Sequence, residues 1–125
     1  MQPSTLIFLR KVKAKGRAVF AKAAIKKGTI IERAPVMLVP ISELAGGMAN
    51  PALHKYFFQW SKTHVAMILG YGSLYNHSYR PNARYTHGSL SITYLALRDI
   101  AAGEEITINY NFDPKDKTPL KFKVV

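Results

Sequence analysis

The sequence predicts a mainly β domain made of several short strands. Three observations support this fold class: the β-rich runs are short, glycine turns separate them, and no long amphipathic helical pattern interrupts them. The chain of 125 residues fits one domain. Its hydrophobic share of 48% is sufficient for a packed core, so we expect a folded chain.

The predicted strands follow one another along most of the chain. Each is rich in β-branched, aromatic or apolar residues and ends near glycine, proline or a polar turn. Gly88 and Ser89 separate two strands as a hairpin turn does, and Ser42 could cap a short helical turn. In order, the predicted strands cover residues 5–9, 17–21, 29–33, 36–39, 56–60, 65–69, 84–87, 90–97 and 106–110.

One short spacing pattern occurs twice: an isoleucine, a glycine three residues later, and a second isoleucine after three more. Glycine tolerates positive φ, so both glycines can make tight turns. The pattern indicates two similar β-turn units, although it is too short to demonstrate a duplication. The two occurrences are Ile25-Gly28-Ile31 and Ile100-Gly103-Ile106.

Composition excludes several kinds of site. There is no cysteine, which excludes disulfides and thiolate metal sites. The four histidines show no tight ligand spacing, so we predict no metal site. No apolar run approaches the ~20 residues of a membrane-spanning helix, and no secretory signal is recognisable. We therefore expect no membrane association and an intracellular protein, cytoplasmic in a bacterium or in the host nucleus for a virus.

Positive charge dominates the first part of the chain. The formal net charge is +11, no acid lies between Arg10 and Lys27, and the first acid is Glu32. Such a stretch attracts acidic proteins or nucleic acid, and it speeds encounters at low salt. A solvated basic face explains the same residues equally well, so the sequence leaves both interpretations open.

Two segments carry unusual polar patterns. Residues 71–82 place asparagines, serines and a histidine among aromatic residues, and such side chains can fix an irregular turn through bonds to the backbone. Taken alone, this segment reads as an ordinary polar loop. Residues 102–110 run from a glycine turn through two acids into a strand that ends at Tyr110. Taken alone, this second segment carries little information.

Together, the two segments and a third resemble the SET-domain lysine methyltransferases. The family's Asn-His-Ser segment and the Pro-Asn that follows match residues 76–78 and 81–82, and its Gly-Glu-Glu-(apolar)-Thr-x-x-Tyr segment matches residues 103–110. Its glycine-containing opening matches Lys15-Gly16-Arg17-Ala18, with Ala18 where a second glycine is usual. The three matches occur in family order and span roughly Leu9 to Tyr110. Their combination is specific for the family, although each motif alone is not.

The resemblance implies a fold and an activity. The fold would be a SET domain, β-clip-like, with several short sheets, few short helices and a pseudoknot that sets residues 76–78 beside the Tyr110 strand. We expect one domain over 1–125, with its core at about 9–112 and a tail at 113–125. The activity would be methyl transfer from S-adenosylmethionine to a lysine amine of a protein, with a histone or histone-like protein among the candidates. The alternative is a catalytically inactive basic module that binds acidic protein or nucleic acid.

The resemblance also implies roles for individual residues. Tyr110 matches the active-site tyrosine, which would orient the amine rather than act as a strong base. Lysine has a reference pKa of about 10.4, and a narrow apolar channel beside a sulfonium cation would lower that pKa. The expected cofactor-binding residues are Lys15, Gly16, Arg17, Tyr71, Leu74, Asn76 and His77. The expected walls of the substrate channel are Tyr75, Ile108, Tyr110 and Phe112.

The chain departs from the family pattern at the channel. Many members close the channel with a cysteine-rich, zinc-binding tail, which a chain without cysteine cannot form. Phe112 or Phe122 could replace that wall, or a partner subunit of a homodimer could supply it. Ile108 stands two residues before the tyrosine, where many members have an aromatic residue that relates to the number of methyl groups added, so the degree of methylation stays open.

Overall fold

The computed structural model describes residues 5–12, 16–50, 57–72 and 74–118, and it confirms the mainly β fold. Two 3-10 helices, Ile41–Glu43 and Gly47–Ala49, are the helical elements of this part of the chain. Its strands are β1 (Ile7–Val12), β2 (Gly16–Ala21), β3 (Ile30–Pro40), β4 (Phe57–Gln59), β5 (His64–Ile68), β6 (Asn76–His77), β7 (Ala83–His87), β8 (Ser91–Ala96) and β9 (Thr107–Ile108).

The strands form three small sheets. β1 and β2 pair antiparallel, a five-stranded sheet has the order β4-β5-β3-β8-β7, and β6 pairs parallel with β9. The hairpin predicted around Gly88 and Ser89 is the antiparallel β7–β8 pair. The 3-10 helix at residues 41–43 begins after Pro40, so Ser42 lies inside it and does not cap it, contrary to the prediction.

β3 joins the predicted β-rich runs at 29–33 and 36–39 into one strand. It is continuous from Ile30 to Pro40, but it pairs with β8 through Pro35 and with β5 from Val36 onward. Pro35 is the last residue of β3 that pairs with β8 before the pairing passes to β5. Because proline has no backbone N–H, it leaves no donor unpaired at that position, and its carbonyl still accepts from the Leu69 N–H at 2.9 Å.

The core lies between the sheets. β8 alternates between half-buried and fully buried residues, as a strand with one face on a core does. Tyr75 and Tyr94 are among its largest buried side chains, with ring centroids 4.4 Å apart. Apolar side chains from β1, β2, β3, β8 and the segment before β9 complete the core, including Ile7, Val19, Ile31, Ile92, Ile100 and Ile106.

The β6–β9 pair brings together two segments that are thirty residues apart. Asn76 pairs with Thr107 and His77 with Ile108, and the Ser78 N–H donates to the Ile108 carbonyl at 2.8 Å. This is the neighbourhood expected of residues 76–78 from the SET-domain resemblance. In the described part of the chain, the two helices are far too short and polar for a membrane-spanning segment.

Candidate active site

Tyr110 is held at both ends by the segment around β6. Its hydroxyl donates to the Tyr75 carbonyl at 2.6 Å, and its backbone N–H donates to His77 Nδ1 at 2.9 Å. β9 carries the chain past His77 and ends two residues before Tyr110, so the strand pairing delivers this tyrosine to the loop. The tyrosine of one matched motif therefore contacts the asparagine-histidine segment of the other.

The Tyr110 phenol is a neutral donor at physiological pH. Burial of its ring, followed by the nearby negative charge of Glu105, raises its pKa above the ordinary value of 10.0. Even so, the residue keeps 42% of its surface exposed, so a ligand can approach it. A protonated phenol that is fixed by a carbonyl can orient a reacting group and is a poor proton acceptor.

His77 is neutral in this arrangement, with its proton on Nε2. A backbone N–H can only donate, so Nδ1 must be the acceptor for Tyr110 and Nε2 must carry the hydrogen. Burial lowers the pKa of the imidazole below 6.5. Nε2 is buried and has no hydrogen-bond partner among the described residues, which leaves one donor for a polar ligand atom.

Asn76 joins the loop to the β1–β2 hairpin. Its Nδ2 donates to the Arg17 carbonyl at 3.3 Å and to a Glu105 carboxylate oxygen at 3.0 Å. Gly16, the residue before Arg17, has φ of +78°, and an added Cβ would meet no atom within 4 Å. The backbone here is thus open to close approach by a ligand, in a conformation that favours glycine.

The predicted channel residue Tyr75 turns its ring into the protein. It is 1% exposed, and its hydroxyl donates to a Glu32 carboxylate oxygen at 2.7 Å. Its backbone carbonyl accepts the Tyr110 hydroxyl, so the main chain of Tyr75 is the part shown to bind this tyrosine. Tyr71 and Leu74 are half-buried against the core, and the Tyr71 N–H donates to the other Glu32 oxygen at 2.9 Å.

Phe112 and Ile108 have different environments. Ile108 is 6% exposed and pairs with His77, so its side chain belongs to the core. Phe112 is 45% exposed, and its φ of +76° is unusual for a residue with a side chain. Its ring contacts the Tyr85 ring edge-on, with centroids 5.3 Å apart, and the His87 ring at 5.8 Å. The exposed Phe112 ring therefore packs on the buried Tyr85 ring, two residues along the chain from Tyr110.

The positions of several residues in this region could not be predicted from the sequence. Glu32 resembles a solvent-facing strand residue, and Tyr85 resembles an ordinary strand aromatic. Asn82 belongs to the matched Pro-Asn segment, yet its bonds to residues 104, 105 and 107 could not be read from spacing. Lys15 and Phe122, predicted for the cofactor site and the wall, lie outside the described residues. In the described ranges, no cluster of three or more His, Asp or Glu side chains could hold a metal ion.

Three comparisons with known proteins agree. A histone-lysine N-methyltransferase of Schizosaccharomyces pombe, specific for histone H3 lysine 37, is 34% identical over 104 residues, 82% of this chain and 71% of that protein. A crystal structure from Plasmodium falciparum, provisionally described as a histone methyltransferase, matches with a TM-score of 0.71 and 31% identity, over 88% of this chain and 95% of that one. The family model for the SET domain matches residues 16–111, so the chain belongs to the SET-domain family.

Proposed function

We infer that this protein is a methyltransferase that modifies the side-chain amine of lysine in a protein substrate. One observation carries the inference beyond family membership: the Tyr110 hydroxyl lies 2.6 Å from the Tyr75 carbonyl, at the junction of the two family motifs. The relative from S. pombe is named for a histone H3 lysine. We therefore propose a histone or a histone-like protein as the substrate class.

The residues around Asn76 fit S-adenosylmethionine as the methyl donor. His77 Nε2 is a buried donor without a partner in the described chain, and Gly16 leaves its backbone open. Gly16, Arg17, Asn76 and His77 would hold the cofactor, with Tyr71 and Leu74 behind them and Lys15 as a further predicted contact. When bound, this cofactor supplies an activated methyl group on a sulfonium centre.

Tyr110 would act by orientation. Its phenol stays protonated because burial and Glu105 raise its pKa, so it does not remove the lysine proton. The lysine must arrive neutral, and an apolar entrance favours the neutral amine by disfavouring charge. The Tyr110 oxygen and the Tyr75 carbonyl then offer fixed polar atoms that align the amine, and alignment alone can supply much of a rate enhancement.

Phe112 is our candidate for the channel wall that a cysteine-rich tail provides elsewhere in the family. Its exposed ring packs edge-on against Tyr85 and lies two residues after Tyr110. A second subunit is the competing candidate for this wall. Light scattering at the assay concentration separates the two, since an active monomer needs no partner subunit.

The test is methyl transfer with a matched pair of tyrosine variants. Purified protein is incubated with methyl-labelled S-adenosylmethionine and histones, and labelled residues are located by mass spectrometry. Tyr110→Phe should lower kcat about 100-fold, as loss of a positioning hydrogen bond commonly does. Tyr94→Phe is the control, because Tyr94 is a buried tyrosine whose hydroxyl donates to Gly72 instead.

Two results would count against this function. One is a Tyr110→Phe protein as active as the wild type. The other is the absence of any cofactor binding in calorimetry, which would favour the basic binding module. Asn76→Ala removes the hydrogen bonds to Arg17 and Glu105. If the protein is a methyltransferase, this variant should bind the cofactor more weakly than the wild type.

We further propose that the basic stretch from Arg10 to Lys27 contacts nucleic-acid phosphates. Lys11 and Arg17 stand directly opposite each other in the β1–β2 register, where like charges are unfavourable without a counter-charge. The salt bridge between Arg98 and Glu104 lies outside this stretch. A histone-class substrate is itself basic and is repelled by a protein of net charge +11, whereas bound nucleic acid would attract both.

Binding to duplex DNA as a function of salt tests this contact. Neutralising the exposed Lys22, Lys26 and Lys27 to Gln should reduce the slope of log K against log salt by about 2 to 3, because each phosphate contact contributes about 0.9. The control neutralises the equally exposed Arg33, Lys62 and Lys115, and so removes the same charge elsewhere. Equal slopes for the two variants would show that net charge, rather than this stretch, determines binding.

A further inference from the structure

Glu32 is a buried carboxylate in an unusual position. It is 6% exposed on β3, and no salt bridge to a lysine, arginine or histidine compensates it within the described residues. The register of β3 against β8 shifts between Ile30 and Glu32, which breaks the alternation and buries both Ile31 and Glu32. An ionisable group buried without a counter-charge is costly, so its persistence calls for an explanation.

Two hydrogen bonds satisfy this carboxylate, and both come from the loop that leads to Asn76. One oxygen accepts from the Tyr71 N–H at 2.9 Å, and the other accepts from the Tyr75 hydroxyl at 2.7 Å. Charge-assisted bonds of this kind are stronger than neutral ones and fix the groups that donate them. Glu32 therefore ties the two ends of residues 71–75 to the central strand of the five-stranded sheet.

Tyr75 connects this anchor to the candidate catalytic residue. Its ring is bound by Glu32, while its backbone carbonyl accepts the Tyr110 hydroxyl at 2.6 Å. Glu32 is thus connected to Tyr110 through one intervening residue, Tyr75, by two hydrogen bonds. We call this connection the path from Glu32 to Tyr110. We propose that Glu32 is a positioning residue, which fixes Tyr75 so that its carbonyl orients the Tyr110 hydroxyl for methyl transfer. This inference rests on the proposed function.

Tyr94 offers a comparison within the same cluster. It is as buried as Tyr75, its ring lies 4.4 Å from the Tyr75 ring, and its hydroxyl donates to the Gly72 carbonyl at 3.1 Å. The one proton of this hydroxyl is used on Gly72, so Tyr94 does not donate to Glu32 as Tyr75 does. Removing the Tyr94 hydroxyl therefore perturbs the same packing without interrupting the path.

The first measurement is steady-state kinetics with Glu32→Gln, Tyr75→Phe and Tyr94→Phe. A misplaced orienting group slows the chemical step, so the first two variants should lower kcat about tenfold or more, with KM little changed. Tyr94→Phe should stay within about twofold of the wild type. A double variant of Glu32 and Tyr75 should be no slower than the worse single variant, since both changes interrupt one path.

The second measurement follows Tyr110 directly, without turnover. In protein with 13C-labelled tyrosine, the Tyr110 resonance is identified by its absence in Tyr110→Phe and is titrated with pH. Donation to the carbonyl favours the neutral phenol, so loss of the fixed acceptor should let Tyr110 ionise at a lower pH. Tyr75→Phe is the decisive variant, because it leaves the Glu32 carboxylate in the chain.

The two measurements distinguish a failure of the proposed methyltransferase function from a failure of the positioning role of Glu32. Wild-type protein that methylates no lysine would contradict the proposed function, while the Tyr110 titration would still test the link to Glu32. Folded Glu32→Gln and Tyr75→Phe proteins with wild-type kcat, or an unmoved Tyr110 titration in Tyr75→Phe, would overturn the positioning role. Should Glu32→Gln fail to fold, Tyr75→Phe decides alone.

Discussion

At the scale of single residues, the site depends on side chains whose protonation is fixed by their partners. His77 accepts from the Tyr110 N–H through Nδ1, and only the neutral imidazole can do so. Tyr110 itself remains a phenol because burial raises its pKa. Neither residue has to exchange a proton for the arrangement to persist near neutral pH.

The neutral state of His77 predicts a loss of stability in weak acid. Its folded pKa lies below the unfolded value of about 6.5, so the unfolded chain takes up a proton first as pH falls. The contribution is complete above pH 6.5 and declines as pH falls toward the folded pKa. Denaturant titrations from pH 8 to pH 5 should show this decline in the free energy of unfolding.

His77→Asn is the matched variant for that experiment, because an Asn oxygen can replace Nδ1 as acceptor without titrating in this range. The variant should have a shallower pH dependence than the wild type. An identical dependence in both proteins would show that other groups cause the loss.

Sequence and structure differ most for residues whose role depends on distant partners. Asn76 and Tyr110 could be found because they belong to motifs that are typical of the family. Glu32 could not, because strand periodicity places a charged residue on the solvent face, and the register shift that turns it inward leaves no mark in the sequence. Tyr75 was expected in the channel, but the same carboxylate draws its ring into the core.

At the scale of elements, the smallest strands hold the site together. β6 and β9 have two residues each, too few for any hydrophobic periodicity to predict, whereas the β7–β8 hairpin was predictable from its local turn. The two occurrences of the Ile-Gly-Ile spacing contact each other in the structure. Their first isoleucines, Ile25 and Ile100, exchange backbone hydrogen bonds of 2.8 and 2.7 Å. Pairing between distant segments is what single-sequence periodicity cannot supply.

Asn82 closes the junction beside β9, and its replacement should be costly. Buried at 2% exposure, it donates to the Glu105 carbonyl at 2.7 Å and to Glu104 at 3.0 Å, and it accepts from the Thr107 N–H at 2.9 Å. Asn82→Asp keeps the shape but replaces two donors by a negative charge beside these acceptors. We expect a loss of about 3 kcal/mol in unfolding free energy.

Thermal and denaturant unfolding measure that loss. Asn50→Asp is the control, since Asn50 makes an ordinary side-chain bond to the Ala45 carbonyl in the loop after β3. A difference below about 0.5 kcal/mol between the two variants would indicate that the Asn82 network contributes little.

At the scale of the whole molecule, the high net positive charge makes stability depend on salt concentration. A net charge of +11 on 125 residues disfavours the compact state through self-repulsion, which salt screens. The melting temperature should therefore rise by about 4 °C as sodium chloride increases from about 0.02 to about 0.2 M. The variant with Lys22, Lys26 and Lys27 neutralised should show a smaller rise, and a midpoint that falls with salt would refute the effect.

The parallel pairing of β6 with β9 also has a consequence for synthesis on the ribosome. His77 reaches its partner in the Tyr110 segment only after another thirty residues have been translated, and no local hairpin can substitute for that contact. A nascent chain that has released β6 but not β9 therefore lacks the tyrosine. If Tyr110 acts as proposed, methyl transfer would require that the polypeptide has cleared the exit tunnel through this residue.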